Sequence, residues 1–181
     1  SRGLGDVYKR QLMAGENQVT IFEKENQVGG SFLLAGYAPK FQTVNAVPDT
    51  LQFYVNEMKR ICGLKGVEFQ TGFDPISQPS SLKPYDWVVI ATGAKIPFGL
   101  QKVVSYLLKN GFFKTGLMRK IASNPIIRDL FYTSLRTATG RSVRNKLNSD
   151  TRLSIIGDAA QAGKASEAIK SAYALAYSRI L

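Results

Sequence analysis

One acidic residue and two glycines near the start of the chain have the types and spacing that can hold a nucleotide. Glu23 closes Gln18–Lys24, a β-branched and aromatic run that is typical of a strand. A carboxylate at the end of such a strand can accept hydrogen bonds from both hydroxyls of a ribose. A solvated charge at a strand end is the simpler interpretation. Because Gly29 and Gly30 follow at a suitable distance, we favour the ribose role.

The two glycines predict a turn over residues 28–31 at which the backbone can approach a ligand closely. Gly29 and Gly30 carry no Cβ, so a diphosphate or a ribityl chain could pass close to them. The pair is a weak signal by itself, because plain turns use the same residues. The predicted site also includes the flanking residues Lys24 and Ser31.

Three small residues follow the next strand-like run. Ala91, Thr92 and Gly93 come directly after Tyr85–Ile90, whose sequence is typical of a buried strand. A strand that simply leads into a loop is the alternative interpretation. The strand and its Ala-Thr-Gly exit resemble the second FAD-contact motif of pyridine-nucleotide-dependent flavoproteins. That resemblance implies that the small residues let the backbone cross the phosphates of the cofactor.

The strongest single motif is a Gly-Asp pair near the end of the chain. Gly157 and Asp158 follow the strand-like run Leu153–Ile156, and Ala159 continues toward a helix of small residues. An aspartate at this position can accept a hydrogen bond from a ribityl hydroxyl. Free N–H groups at the start of the helix would stabilise an anionic reduced flavin. The alternative is an aspartate that caps the helix and binds no ligand.

The elements that must position these residues alternate between short strands and helices. This alternation predicts an α/β fold with a parallel sheet, in which ligands bind at the carboxyl ends of the strands. The further predicted elements are the helix Pro48–Cys62 with Asp49 and Thr50 as candidate caps, the strand Val67–Gln70, the linker Lys95–Gly99, a mostly helical stretch over Val103–Leu147 with Asn124 as a helix cap, and the last helix Ala165–Leu181.

The three motifs occur in the order expected for one family. Over Leu12–Ile96 and Thr151–Leu181 the chain resembles the C-terminal FAD-binding part of the NADH:flavin oxidoreductase and 2,4-dienoyl-CoA reductase group. The resemblance implies a Rossmann-like FAD-binding domain of an oxidoreductase that relays reducing equivalents through the flavin. It also implies an upstream barrel domain with FMN and an iron–sulfur cluster, so that the catalytic residues lie outside this chain.

The chain departs from that family between the second and third motifs. Members usually carry a whole NAD(P)H-binding domain there, whereas here only Ala94–Asp150 separates them, without a Gly-x-Gly-x-x-Gly pattern. NAD(P)H is therefore a candidate electron donor with no visible site. We expect residues 97–150 to form a basic helical insertion between the two parts of the FAD-binding domain.

The first eleven residues, Ser1–Gln11, are not typical of a strand or a helix. We interpret them as a non-native leader or a disordered tail. The glycine-rich phosphate turn should lie about 20 residues before Glu23. Gly3 and Gly5 are found there, but no strand precedes them. We therefore expect that turn and its strand to lie upstream of Leu12. The given chain should then be poorly stable and should bind FAD weakly.

Composition excludes several other site types. The chain has no histidine and one cysteine, which excludes a Ser-His-Asp triad and an internal disulfide, and we predict no metal site. Cys62 is expected to be a small buried apolar residue. Because there is no secretory signal and no apolar run of about 20 residues, we expect a cytoplasmic protein, with peripheral membrane association left open.

The positive charge is concentrated in one segment. Between Gln101 and Asn148 there are ten lysines and arginines, and Asp129 is the only acidic residue. One interpretation is a helical cap with a solvated basic face. The functional alternative is a non-catalytic α/β module that docks to a membrane surface or an acidic protein partner through this segment. The aromatic and basic residues are too loosely interleaved to predict nucleic-acid binding.

Overall fold

The computed structural model describes residues 17–41, 44–96, 100–127, 136–147, 151–163 and 165–178, so the expected leader over residues 1–11 lies outside the described ranges. The described residues form a mixed α/β structure. Its strands are β1 (Thr20–Glu23), β2 (Lys40–Phe41), β3 (Val44–Asn45), β4 (Glu68–Thr71), β5 (Trp87–Ile90), β6 (Ala94–Lys95), β7 (Thr137–Ala138) and β8 (Arg152–Ile155). Its helices are α1 (Gly30–Ala35), α2 (Pro48–Leu64), α3 (Gln101–Lys109), α4 (Gly116–Ser123), α5 (Gly140–Leu147) and α6 (Ala165–Tyr177).

The longer strands form two parallel pairs. β1 lies parallel to β4, with Thr20 opposite Glu68. β5 lies parallel to β8, with Ile90 opposite Ile155. The expected parallel pairing is therefore confirmed, but the described residues form two-stranded sheets and not one continuous sheet. The two-residue strands pair antiparallel, β2 with β3 and β6 with β7.

Two apolar clusters hold the helices against these pairs. One contains Ile21 of β1, Cys62 of α2 and Val67. Cys62 is 1% exposed, so the expectation of a buried cysteine is confirmed. The other cluster contains Leu82, Ile90, Val143, Leu147 and Ala159, and it therefore joins β5 to α5 and to the turn after β8.

Phe22 connects the β1–β4 pair to the β5–β8 pair. Its side chain packs against the second cluster although the residue belongs to β1. The Phe22 ring lies 5.6 Å from the Tyr85 ring in an edge-to-face arrangement and 5.5 Å from the Phe73 ring. Such aromatic pairs add to the free energy gained from the buried area. β1 and β5 are thus held on a shared core even though they do not pair.

A cleft of about 830 Å3 lies between the two parallel pairs. Residues of both β1 and β5 line it. β4 pairs with one edge of β1 and β8 pairs with one edge of β5, and within the described ranges no strand pairs with the other edge of either strand. One residue of a strand inserted between β1 and β5 would occupy about 160 Å3, which is the product of the rise per residue, the distance between neighbouring strands and the distance between stacked sheets. The cleft therefore has room for a strand of about five residues.

The start of α2 differs from the prediction. Its N-cap residue is Val47, and neither Asp49 nor Thr50 caps it; no side-chain cap hydrogen bond is present. Pro48 occupies the first turn, where its fixed φ fits a helix and its missing N–H costs nothing. Asp49 lies in the same turn, where its charge interacts favourably with the helix dipole.

Three other boundaries are corrected. The predicted turn 28–31 is shorter, because α1 begins at Gly30 and includes Ser31. Lys95 is not in a linker, because β6 pairs with β7. Helices α3, α4 and α5 confirm most of the helical prediction for Val103–Leu147 where the chain is described, but β7 interrupts it.

The proposed cap at Asn124 is confirmed. Its Oδ1 accepts the backbone N–H of Ile126 at 2.9 Å and that of Ile127 at 3.5 Å. This satisfies amides that a helix start would otherwise leave without partners. Among the described residues, no helix is both long enough and apolar enough to cross a membrane.

Candidate functional site

Glu23 lies at the carboxyl end of β1 and lines the cleft. It is 7% exposed, which is unusual for a glutamate. Its Oε1 accepts the backbone N–H of Glu25 at 3.1 Å. The backbone carbonyl of Glu23 accepts the N–H of Phe73 at 3.2 Å, so the end of the strand is fixed on the β4 side. The carboxylate is therefore held at the mouth of the cleft by its own turn.

Gly29 adopts a conformation that favours glycine. Its φ is +117°, and a Cβ at this position would lie 2.8 Å from two side-chain carbons of Leu33 and 3.3 Å from Val55. Gly29 lines the cleft, and the adjacent Gly30 has φ +44°. The close packing between α1 and α2 thus explains Gly29 structurally, while its position also leaves backbone accessible from the cleft.

The residues predicted on either side of these glycines are exposed. Lys24 lines the cleft, and its Nζ lies 3.4 Å from Oε1 of Glu25. Ser31 lies in α1 and is exposed, but it is not among the residues that line the cleft. Of the predicted residues near the first strand, Glu23, Lys24 and Gly29 share the cleft, and Gly30 and Ser31 lie beside it.

The Ala91–Gly93 turn is held by a residue that sequence reasoning missed. Thr139 is 7% exposed and its Oγ1 donates to the carbonyl of Gly93 at 2.6 Å. A hydroxyl has only one proton, so the 2.7 Å contact between the hydroxyls of Thr92 and Thr139 is a donation from Thr92. Ala91, Thr92 and Thr139 all line the cleft, and Gly93 has φ +73°.

The Gly157 turn is anchored to the last helix. The N–H of Gly157 donates to Oγ of Ser171 at 2.8 Å, and Ser171 donates to the carbonyl of Ala168 at 2.9 Å. Gly157 has φ +57°, and a Cβ here would lie 3.2 Å from the Cβ of Ala168. Two requirements therefore favour glycine at this position: the left-handed backbone and the close approach of α6.

Asp158 forms an ion pair that the sequence did not predict. Its Oδ2 is paired with Nη2 of Arg136, and its Oδ1 accepts the N–H of Gly163 at 3.3 Å. Nη1 of Arg136 donates to the carbonyl of Gly163, also at 3.3 Å. The side chains of Arg136 and Asp158 are 8% and 22% exposed. The guanidinium thus fixes the carboxylate and the loop that follows it.

The turn after β8 differs from the expectation in one respect. Residues Gly157–Ala159 form a short 3-10 turn, and α6 begins only at Ala165. The N-terminus of α6 therefore does not follow the Gly-Asp pair directly. The small residues at the start of α6, Ala165 and Ser166, are exposed, and the buried small residues are Ala172 and Ala176 further along the helix.

The turns after β5 and β8 lie side by side. Ile90 and Ile155 are opposite each other in the parallel register, and the N–H of Ile156 donates to the carbonyl of Ile90 at 3.0 Å. Thr92 and Gly157 each follow this register pair by two residues. Asp158 itself is not among the described residues that line the cleft.

Helix α5 ties the two turns together. At Gly140 a Cβ would overlap the side chain of Ile155 and would lie 2.6 Å from the carbonyl oxygen of Ala159. Since Thr139 immediately precedes this glycine, one short segment contacts both the Ala91–Gly93 turn and the Gly157–Ala159 turn. Ala159 is 1% exposed and packs in the core rather than toward a ligand.

The part of the chain that the structure describes contains no group of three or more Cys, Asp or Glu side chains arranged to hold a metal ion. No protein-family model matches the chain, and comparisons with curated proteins and with solved structures gave no match either. The motifs and their geometry therefore carry the functional assignment.

Proposed function

We propose that this chain is the FAD-binding part of an oxidoreductase, with a Rossmann-like arrangement of its parallel strands. The observation that carries the proposal is that all three motif turns follow the carboxyl ends of parallel strands. Two of these turns lie side by side, since Ile90 and Ile155 are in register. The third turn follows Glu23, the last residue of β1, and Glu23 lines the cleft between the two strand pairs. Ligands of open parallel α/β sheets bind at such strand ends.

The residues are assigned to the cofactor as follows. The buried carboxylate of Glu23 accepts the hydroxyls of the adenosine ribose, and Lys24 and Ser31 flank that end. The backbone at Gly29, at Gly30 and over Ala91–Gly93 passes close to the diphosphate and the ribityl chain.

Asp158 is assigned to a ribityl hydroxyl, with Gly157 and Ala159 shaping the turn around it. Each carboxylate oxygen has two lone-pair sites, so the pairing with Arg136 leaves Asp158 able to accept a further hydrogen bond. Arg136 has two effects here. It holds the carboxylate in one orientation, and it compensates a negative charge that would otherwise lie close to the anionic cofactor.

The bound flavin would supply the relay of reducing equivalents, and the residues of this chain bind and orient it. We assign no proton donor within the chain. The proposal places both the electron donor and the electron acceptor outside this chain. NAD(P)H is the candidate donor, and a partner barrel domain with FMN and an iron–sulfur cluster is the candidate acceptor. The substrate-reducing residues then belong to that partner.

Ligand binding monitored through the single tryptophan tests the proposal. Trp87 lines the cleft, and its Nε1 donates to Oγ of Ser154 at 3.0 Å, so its emission reports on the cleft. The purified chain is titrated with FAD, FMN, AMP and NAD, with quenching corrected for ligand absorption and verified by equilibrium dialysis. Saturable binding with FAD as the preferred ligand supports the proposal. Preference for NAD, or no saturation by FAD at millimolar concentration, contradicts it.

A further inference from the structure

A second surface, separate from the cleft, exposes many apolar side chains. It comprises residues 100–127, here named the α3–α4 segment. Eight of the thirteen large apolar side chains that are strongly exposed in the described residues belong to this segment: Leu100, Val103, Tyr106, Phe112, Leu117, Ile121, Ile126 and Ile127. Single exposed apolar residues are normal on a protein surface, but a cluster indicates a binding surface.

The exposed apolar residues form stripes along both helices. In and beside α3, Leu100, Val103 and Tyr106 recur every three residues and are 48%, 53% and 68% exposed. In α4, Leu117 and Ile121 are four residues apart and are 68% and 37% exposed. Residues at these spacings lie on the same face of a helix. Val104, Leu107 and Leu108 are half-buried and so lie on a different face of α3 from the exposed stripe.

The connection between the helices continues the apolar surface. Gly111 has φ +73°, which lets the chain turn out of α3 into the 3-10 turn Phe112–Lys114. The rings of Phe112 and Phe113 meet edge-to-face with centroids 5.4 Å apart. Phe112 is 48% exposed. An aromatic side chain is therefore presented between the two helical stripes.

The charge of the segment has one sign. Lys102, Lys109, Lys114, Arg119 and Lys120 are exposed, and residues 100–127 contain no aspartate or glutamate. None of the five forms an ion pair with a carboxylate in the described part of the chain. The cations lie on both helices and on the turn between them, so each apolar stripe has cations on its own helix. A partner of this segment therefore needs both apolar and anionic groups.

We propose that the α3–α4 segment binds the surface of a bilayer rich in anionic lipids. Amphipathic helices with lysines, arginines and aromatic residues lie in the plane of such an interface and bury their apolar face at the headgroup boundary. Lysine and arginine stems can extend along apolar surface while their charges stay at the headgroups. Anionic headgroups are mobile in the plane and can match cations that are spread over two helices and a turn. An acidic protein would need carboxylates fixed at each of these places.

Flotation with vesicles tests this assignment. The full chain is mixed with vesicles of phosphatidylcholine, with or without 30% phosphatidylglycerol, at low and at high salt. Each cation near an anionic surface strengthens binding by about fivefold, so we expect binding to the anionic vesicles to exceed binding to neutral vesicles at least tenfold. The excess should fall in high salt, because exposed charges are screened.

A double variant and a matched control test whether the exposed apolar side chains of the segment contribute to vesicle binding. Tyr106→Ser combined with Leu117→Ser removes two apolar side chains that are each 68% exposed, and we expect vesicle binding to fall at least tenfold. The matched control is Phe53→Ser combined with Val44→Ser, which removes exposed side chains, 69% and 62% exposed, outside the segment. The control should bind as the parent does. Circular dichroism verifies that each variant keeps its helices.

Several outcomes would overturn the proposal. The first is equal binding to neutral and anionic vesicles, or none to either. The second is equal loss in both double variants. The third is binding that high salt abolishes while Tyr106→Ser combined with Leu117→Ser leaves it unchanged; this would show that charge alone holds the protein on the vesicles and that the apolar stripes are not buried at the headgroup boundary.

Discussion

The guanidinium of Arg136 is buried against the carboxylate of Asp158, and both side chains bind the backbone of Gly163. The two residues are 22 positions apart and belong to different parts of the predicted domain organisation. Residues 136–147 fall within the predicted insertion over residues 97–150, and they contact the turn after β8. The pair is therefore expected to matter for stability as well as for the proposed cofactor site.

Arg136→Met should lower the free energy of unfolding by about 3 kcal/mol, because it leaves the mostly buried Asp158 charge without its partner. Urea denaturation measures the change. Arg60→Met is the matched control, since the pair of Arg60 with Glu57 is exposed and should contribute less than about 1 kcal/mol. Adding Asp158→Leu to Arg136→Met should restore part of the loss. Equal effects of the two single substitutions would show that the Arg136 pair is not buried in solution.

Gly140→Ala and Gly63→Ala should change stability in opposite directions. A Cβ at Gly140 overlaps Ile155 and approaches Ala159, and this overpacking should cost about 1–3 kcal/mol. Gly63 lies in α2, and a Cβ there would have no atom within 4 Å outside the backbone of its own helix, so alanine should stabilise the helix by about 0.5–1 kcal/mol. Thermal unfolding of both variants gives the signs. A neutral Gly140→Ala would contradict the close approach of α5 to the turn after β8.

Thr139→Val should destabilise the chain by about 1–3 kcal/mol, since it leaves the carbonyl of Gly93 and the hydroxyl of Thr92 without this buried partner. Valine has nearly the same shape, so packing is preserved. Thr137→Val is the control at an exposed position of β7, and it should be close to neutral. If both substitutions are neutral in urea denaturation, the hydroxyl of Thr139 does not hold the Ala91–Gly93 turn.

The cleft between β1 and β5 predicts weak FAD binding by this chain. Replacing Ser1–Gln11 with an N-terminal extension that carries a β-branched strand and a Gly-x-Gly-x-x-Gly turn, the turn about 20 residues before Glu23, should tighten FAD binding at least tenfold. The added strand would pair with β1 and β5, and the turn would hold the diphosphate. A Gly/Ser extension of the same length is the control. The cleft is not the place of a strand if the two extensions behave alike, or if the given chain already binds FAD at nanomolar concentration.

The four longer strands, β1, β4, β5 and β8, could be predicted from the sequence because each lies in a short β-branched or apolar run that ends in an acidic residue or is soon followed by a glycine. Glu23, Gly93 and Gly157 were located by this local pattern, and the parallel pairing followed from the alternation of strands and helices. Caps were harder to predict. Asn124 caps its helix as predicted, whereas at α2 the proline and the extended Val47 define the start without any side-chain cap.

The contacts that complete the site could not be found in this way. Arg136 reaches Asp158, and Thr139 reaches Gly93, only through the pairing of β6 with β7. These strands have two residues each, which is too short for any periodicity to appear in the sequence. In the sequence, Arg136 is one more cation of a basic segment. Its burial depends on the tertiary structure and not on its neighbours in the sequence.

The effect of Glu23→Gln on three ligands tests the FAD assignment most directly. If Glu23 holds the adenosine ribose, the substitution weakens binding of FAD and of AMP about tenfold or more, as expected for a lost hydrogen bond to a charged group. It leaves FMN, which has no adenosine, unchanged. Glu57→Gln, at a site outside the cleft lining, is the control and should change none of the three. Equal binding of FAD by the parent and by Glu23→Gln, or an equal loss for FMN, would contradict the assignment of Glu23 to the adenosine ribose of FAD.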